Sequence, residues 1–270
     1  MEARQLAERL AMRADLAVTL SLAGRTAAPA LPPVPVRLGG FGGAEGLADY
    51  LRDQKIDVLI DATHPYAATI SSNAAAAAPR ARVALLALCR PAWTPVAGDR
   101  WVDVGDVASA VRALGNAPRR AFLALGRKEI EPFADAPQHS YLVRSVEPVT
   151  PPLMVPHAVY ITARGPFAES DERTMLEQHR IDIIVAKNSG GPATYGKIAA
   201  ARALGLPVIL LRRPLPPPYP PPQPPPFPPP LAGEGGVGAG EGREGAAVET
   251  VDDAVAWLDH VSAPPAARGV

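Results

Sequence analysis

The chain has 270 residues and carries 27 basic and 27 acidic side chains, so its formal net charge is zero and no overall field attracts nucleic acid. Its single cysteine excludes an internal disulfide, and no Cys/His spacing is typical of a structural zinc site. Because no apolar run is long enough to cross a bilayer and charges stand near the start, we expect a cytoplasmic protein without a membrane partner.

The first part of the chain alternates amphipathic segments with short apolar runs. Leu6 and Leu10 lie four apart among charged residues, which predicts that the chain opens on a helix. A passage rich in Pro and Gly reaches Gly43, and a connecting passage that contains Trp101 follows Arg90. The predicted elements are helices over 3–12, 44–54 and 67–78, an apolar run over 16–22, and strands over 56–60 and 83–88.

The second part repeats this alternation. The predicted elements are helices over 106–114, 169–179 and 193–204, and strands over 120–125, 140–143, 158–162, 182–186 and 206–211. Strands that alternate with helices favour parallel sheets covered on both faces. We therefore expect an α/β protein with two domains, formed by residues 1–110 and by residues 111–213 with 248–262.

An unusual segment separates the last helix from the rest. Residues 214–230 are almost all proline and residues 231–247 are rich in Gly and Glu, so we expect 214–247 to be a disordered insert outside any core. A surface insertion is favoured over a ligand for an aromatic groove, which would give the insert a weak partner. Residues 250–260 predict a helix capped by Thr250 that docks on the second domain.

Polar turns directly after strands are the candidate binding positions, because ligands of doubly wound sheets bind at the carboxyl ends of strands. These turns are residues 61–66, 126–128, 164–167 and 187–194. In the 187–194 turn, Gly190 and Gly191 could let the backbone approach a ligand, and the following helix start suits an anion. An ordinary glycine turn with a solvated lysine is the alternative.

The 61–66 turn holds an acid, a hydroxyl, an imidazole and a phenol, a set able to orient a ligand or pass a proton. Alternatively, Asp61 or Thr63 caps the next helix. Arginines could clamp carboxylates or form ordinary salt bridges; they are Arg90, Arg127, Arg144 and Arg164. Four histidines show no metal-ligand spacing and are expected at the surface or at helix ends; they are His139, His157, His179 and His260.

Taken together, these motifs resemble the precorrin-6A reductase family. The resemblance is carried by Asp-Ala-Thr-His-Pro-Tyr-Ala at 61–67, Leu-Gly-Arg at 125–127, Arg-Gly-Pro-Phe at 164–167 and Lys-Asn-Ser-Gly-Gly at 187–191, followed by Ala193, Thr194 and Lys197. It extends from Glu2 to Arg213 and leaves only the insert outside.

The resemblance implies two Rossmann-like domains with a ligand cleft between them. NADPH would deliver hydride to one macrocycle double bond of precorrin-6A or cobalt-precorrin-6A, giving precorrin-6B in cobalamin biosynthesis, without a metal of the enzyme's own. His64 or Tyr66 would donate the proton. The implied substrate- or cofactor-binding residues are Asp61, Thr63, Arg90, Gly126, Arg127, Arg164, Gly165, Lys187, Asn188, Ser189, Gly190, Gly191, Thr194 and Lys197.

One departure from the family pattern concerns the start. Family members begin with an apolar strand and a Gly-Gly-Thr turn before an equivalent of Glu2-Ala3, whereas this sequence starts at that point. We therefore expect the first domain to lack its first strand and a phosphate-binding turn. Two alternatives stay open: an NAD(P)-dependent reductase of another polyanionic small molecule, and a non-catalytic tetrapyrrole-binding or adaptor protein.

Overall fold

The structure is a computed structural model that describes residues 1–24, 31–219 and 247–262. These residues form two compact units. The first comprises Met1–Arg90 together with the described residues from Pro214 onward, and the second is Pro91–Arg213.

The described helices and strands follow the expected alternation. The helices are α1 (Glu2–Leu10), α2 (Gly43–Asp53), α3 (Ala68–Ala81), α4 (Val107–Leu114), α5 (Glu169–Gln178), α6 (Gly196–Ala203) and α7 (Val251–Ser262). The strands are β1 (Leu20–Leu22), β2 (Val36–Leu38), β3 (Val58–Asp61), β4 (Ala84–Leu88), β5 (Trp101–Val104), β6 (Arg120–Ala124), β7 (Ser140–Ser145), β8 (Ala158–Thr162), β9 (Ile183–Lys187), β10 (Val208–Leu211) and β11 (Ala247–Val248). Two short 3-10 helices, Arg127–Glu129 and Glu131–Asp135, lie between β6 and β7.

The first unit contains two parallel sheets among its described residues. β1 pairs with β2, and β4 lies between β11 and β3 in a three-stranded sheet. Every residue of β4 is buried, which explains its uninterrupted apolar sequence. Leu47 and Leu51 of α2 pack with Ala77 of α3, while Leu6 of α1 packs with Leu86 of β4.

The second unit is built on a six-stranded sheet in the order β5-β10-β9-β6-β7-β8, and all of its strand pairs are parallel. The core is formed by side chains such as Phe122, Ile184 and Leu210 together with Ile198 of α6. From β6 the chain adds β7 and β8 on one side, then returns to add β9 and β10 on the other. The strand order therefore reverses between β6 and β9, the position at which such sheets bind ligands.

The boundary between the units differs from the expected one at residue 110. The connecting passage after Arg90 contains a strand, β5, which pairs in parallel with β10 and so belongs to the second sheet. The apolar pattern of the sequence does not predict β5, because two of the four residues of this edge strand are exposed.

The last helix also packs elsewhere than expected. β11 pairs with β4, and Leu258 of α7 is buried with Leu6 and Leu10 of α1, so α7 belongs to the first unit. Thr250 does cap it, because its Oγ1 accepts the Asp253 N–H at 3.1 Å. Of the expected disordered insert, the structure describes residues 214–219 and Ala247, and Ala247 lies in strand β11, so the expectation is wrong at that residue. Residues 220–246 lie outside the described residues.

Candidate active site

The reversal point of the second unit brings two of the sequence motifs together. The chain leaves β6 through Gly126 and β9 through Lys187, and β6 and β9 are neighbours in the sheet. Glu129 lies between the two motifs, since its Oε2 accepts the Gly126 N–H at 2.8 Å and its carboxylate forms an ion pair with Lys187 Nζ. Arg127 and Lys128 are exposed at the same strand end.

The 187–194 loop is fixed by the chain itself. The Asn188 side chain accepts the Trp93 N–H at 2.8 Å and donates to the Trp93 carbonyl at 2.9 Å. Arg213 donates to the carbonyls of Asn188 and Ser189 at 2.8 and 2.9 Å. These contacts hold the loop in place and explain why an amide and a guanidinium stand at positions 188 and 213.

Gly190 is required by the packing of the loop itself. Its φ of +68° lies in the left-handed region, and a Cβ there would come within 2.0 Å of the Pro91 carbonyl oxygen. The chain's own backbone thus makes a close approach that requires glycine at this position.

The 164–167 turn packs against the start of α6. Phe167 N–H donates to the Ala193 carbonyl at 3.1 Å, and a Cβ on Gly196 would lie 2.5 Å from the Phe167 carbonyl oxygen. Arg164 is exposed, and its guanidinium lies 3.9 Å from the Glu147 carboxylate. Three motifs, at 126–127, 164–167 and 187–197, therefore follow strands at one edge of this sheet.

A buried charged cluster lies beneath this loop. Arg144 and Glu172, 8% and 2% exposed, form a two-pronged ion pair, with Nη2 and Oε2 2.9 Å apart. The guanidinium also stacks 3.8 Å above the Phe167 ring. Arg144 therefore clamps a carboxylate, which was one of its two expected roles, but the carboxylate is that of Glu172.

Lys197 is the third charged group of this cluster and is only 4% exposed. Its Nζ donates to the Thr194 carbonyl at 2.6 Å and lies 4.9 Å from the centre of the Trp93 ring. Burial and, to a smaller extent, the charge of Arg144 lower the pKa of Lys197 to about 7, although the charge of Glu172 opposes them. Lys197 therefore stabilises the 187–194 loop by a buried hydrogen bond to the Thr194 carbonyl.

In the first unit, Asp61 organises the 61–66 turn. It is 7% exposed, and its Oδ1 accepts the Thr63 N–H at 3.1 Å and the Thr63 hydroxyl at 2.7 Å. The alternative that Asp61 or Thr63 caps the next helix is wrong, because α3 begins at Ala68 with Ala67 as its N-cap and no side-chain cap. A turn closed by Ala67 N–H donating to the His64 carbonyl at 2.7 Å separates them from the helix.

The two candidate proton donors lie at the open side of this turn. His64 is exposed and Tyr66 is half-buried, with ring centroids 5.7 Å apart. Arg90, at the end of neighbouring β4, pairs with Glu2 at 2.5 Å. Burial alone would raise the pKa of Glu2, but its backbone hydrogen bond and the charge of Arg90 outweigh burial and lower it.

Sequence reasoning missed the acidic partners of these cations, Glu2, Glu129 and Glu172. The Gly126–Glu129 spacing was an available signal, because an acid three residues after a helix-start position often binds the backbone N–H there. The expectation that His139 is at the surface is wrong: it is fully buried, and its Nδ1 accepts the Arg119 N–H at 3.2 Å.

Neither a metal-binding cluster nor a membrane-spanning helix occurs among the residues that the structure describes. In residues 1–24, 31–219 and 247–262, no cluster of three or more His, Cys, Asp or Glu side chains could hold a metal ion. Within the same ranges, no helix combines the length and the hydrophobicity that a membrane span requires.

The comparison with known proteins identifies the family. The profile described as "Precorrin-6x reductase CbiJ/CobK" matches residues 1–259. The chain belongs to this family. A precorrin-6A reductase from a Sinorhizobium species is 59% identical over 215 residues, covering 80% of this chain and 82% of that relative. The precorrin-6A reductase of Rhodobacter capsulatus is 50% identical over 216 residues, covering 80% and 86%.

A solved structure gives the same result for the fold. The structure of CobK precorrin-6A reductase is 43% identical and superposes with a TM-score of 0.81, covering 100% of this chain and 96% of that one. This likeness and the parallel sheets confirm the expected α/β, Rossmann-like class.

As a member of this reductase family, the chain is an oxidoreductase and uses a nicotinamide cofactor. The residues at the reversal point fit such a dinucleotide in charge. Arg127 and Lys128 offer exposed cations for phosphates, and the following strand end leads into the start of α6, where backbone N–H groups favour anions. Lys187 is paired with Glu129, and the buried Lys197 donates to the Thr194 carbonyl, so Arg127 and Lys128 are the cations that this strand end offers to solvent.

Proposed function

We propose that this chain reduces one macrocycle double bond of precorrin-6A to give precorrin-6B in cobalamin biosynthesis, with NADPH as the hydride donor. The observation that carries this proposal is the 43% identity to CobK precorrin-6A reductase over the whole chain, together with strand-end motifs that suit polyanionic ligands. Relatives at 59% and 50% identity bear the name without cobalt, which favours the metal-free substrate.

The charges of both ligands account for the residues at the strand ends. The macrocycle carries many carboxylates and the cofactor carries phosphates, so each needs local cations in a chain whose net charge is zero. We assign this role to Arg127 and Arg164, which are exposed after β6 and β8. Ser189, Gly191 and Thr194 belong to the same edge and would supply polar contacts beside them.

Catalysis in this scheme depends mainly on position. The nicotinamide supplies the hydride when bound, and the protein holds both ligands and provides a proton as charge develops on the ring. His64 and Tyr66 are our candidates for that proton, because they lie at the open side of a turn whose backbone is fixed by Asp61. Arg90, paired with Glu2, adds positive charge at the next strand end.

The direct test measures NADPH oxidation by the purified chain with precorrin-6A, with NADH and cobalt-precorrin-6A as comparisons. We expect turnover with NADPH and precorrin-6A and slower turnover with either replacement. Replacing His64 or Tyr66 by Phe should slow hydride transfer for whichever residue gives the proton, by about a hundredfold. Absence of turnover, under conditions in which the Rhodobacter capsulatus relative is active, would refute the proposal.

A matched pair of variants tests the binding edge. Arg127 and Arg120 are both exposed arginines and lie at opposite ends of β6. We expect R127A to raise the KM for NADPH or for precorrin-6A roughly tenfold, the loss of one charge-assisted contact. R120A should leave both constants within about twofold. Equal effects of the two substitutions would show that only the overall charge matters.

A further inference from the structure

The first residues of the proline-rich insert lie over the 61–66 turn. Tyr219 is half-buried and, like Phe41 and Leu59, packs against the buried α2–α3 core of the first unit. Its hydroxyl donates to Asp61 Oδ2 at 3.1 Å. The expectation that residues 214–247 contribute nothing to a core is therefore wrong for Tyr219.

The hydrogen bonds of Asp61 divide between its two oxygens. Oδ1 accepts from the backbone and the hydroxyl of Thr63, and Thr63 Oγ1 in turn lies 3.1 Å from Ser71 Oγ of α3. Oδ2 receives the Tyr219 phenol, its one donor in the part of the chain that the structure describes. A buried carboxylate that has lost a donor is costly to keep in place. The phenol thus completes the set of bonds that holds Asp61.

We propose that Tyr219 is a positioning residue for the 61–66 turn: it fixes Asp61, which through Thr63 fixes the backbone that presents His64 and Tyr66. This inference rests on the proposed function, because it assigns the turn a part in the reduction. The segment just after Arg213, which the sequence marks as an insert, then contributes to the catalytic half of the molecule.

The phenol is suited to act as a permanent donor. Burial raises the pKa of Tyr219, and the charge of Asp61 raises it further. The raised pKa favours the neutral phenol, which is the form that donates the hydrogen bond to Asp61 Oδ2.

The test replaces Tyr219 by Phe, which keeps the ring packing and removes the donor. We expect kcat for precorrin-6A reduction to fall roughly tenfold, because a small displacement of catalytic groups is costly, while both KM values and the melting temperature stay close to those of the unchanged chain. The matched control is Y160F, which removes a hydroxyl that accepts the Leu153 N–H at 2.7 Å in the second unit. It should leave kcat unchanged.

Two further measurements separate this inference from the proposed function. Amide hydrogen exchange at Thr63, whose N–H bonds to Asp61, should quicken in Y219F and not in Y160F, whether or not precorrin-6A is the substrate. In a D61N background, Y219F should add little to the loss of kcat.

Several results would overturn the inference. Unchanged exchange at Thr63 would show that the phenol does not order the turn. Faster exchange with unchanged kcat would show that the order has no part in the reaction. A lower KM in Y219F would mean that the phenol competes with a ligand for Asp61. If the unchanged chain does not reduce precorrin-6A while exchange responds as stated, the proposed function fails and the ordering of the turn by Tyr219 stands.

Discussion

Removing the Glu172 carboxylate should destabilise the second unit strongly. Glu172 is the anion in a buried cluster with Arg144 and Lys197, and each of the three side chains is less than 9% exposed. Glu172→Leu keeps an apolar stem of similar size but leaves the guanidinium buried without its partner and beside a lysine. Breaking a buried pair in this way costs about 3–5 kcal/mol of unfolding free energy. For a chain of this size, that lowers the melting temperature by roughly 10 °C.

Urea unfolding followed by circular dichroism measures this cost, and two variants serve as references. Glu177→Leu lies on the same helix and breaks an exposed pair with Arg173, so we expect a loss of about 0.5 kcal/mol or less. The double variant R144M/E172L removes both charges and should be more stable than E172L alone. Two results would contradict the predicted cost of breaking the buried pair. One is that E172L lowers the free energy of unfolding no more than E177L does; the other is that R144M/E172L is less stable than E172L.

Two further predictions concern the loop above this cluster. The pKa of Lys197 is about 7 in the folded chain, against an ordinary value of 10.5. The unfolded chain therefore binds more protons than the folded chain between these two pH values. The free energy of unfolding should rise with pH across that window, by up to roughly 5 kcal/mol. K197M should lose this slope in urea unfolding, and equal slopes would contradict the burial argument. Gly190→Ala should cost about 1–3 kcal/mol more unfolding free energy than Gly205→Ala in thermal unfolding. Both glycines have a positive φ, but of the two only a Cβ at 190 would meet another part of the backbone. Equal losses would show that the strain of the positive φ is the whole effect.

The strands that the sequence predicts include fully buried ones and also the largely exposed edge strand β8, whose Val-Tyr-Ile-Thr sequence has a high strand propensity. β4 and β10 are continuous apolar runs because both of their faces are covered, and the helices between them show a 3.6-residue period. β2, β5 and β11 were missed. They are short, and β5 and β11 lie at sheet edges, so pairing rather than composition makes them strands.

The packing partner of α7 could not be predicted from the sequence for a similar reason. Its apolar stripe of Val251, Ala254 and Leu258 suits any covered sheet, whereas the pairing of β11 with β4 and the ion pairs of Arg9 with Asp252 and Arg13 with Asp259 are long-range contacts with the first unit.

The candidate site was predicted at the level of motifs and missed at the level of contacts. Glycines and cations follow strands at one edge of the six-stranded sheet of the second unit, as expected from doubly wound topology. The contacts of Asn188 with Trp93 and of Tyr219 with Asp61 join residues 95 and 158 positions apart, and no local pattern encodes such distances.

The order of the units along the chain has a consequence for biosynthesis. The second unit is one uninterrupted stretch, Pro91–Arg213, whereas the first is assembled from residues on both sides of it. On the ribosome, all six strands of the second sheet emerge before β11 and α7 are made. The first unit therefore begins first and is completed last. Until α7 is made, apolar residues of α1 and β4 stay uncovered, and these are the surfaces that a chaperone would protect.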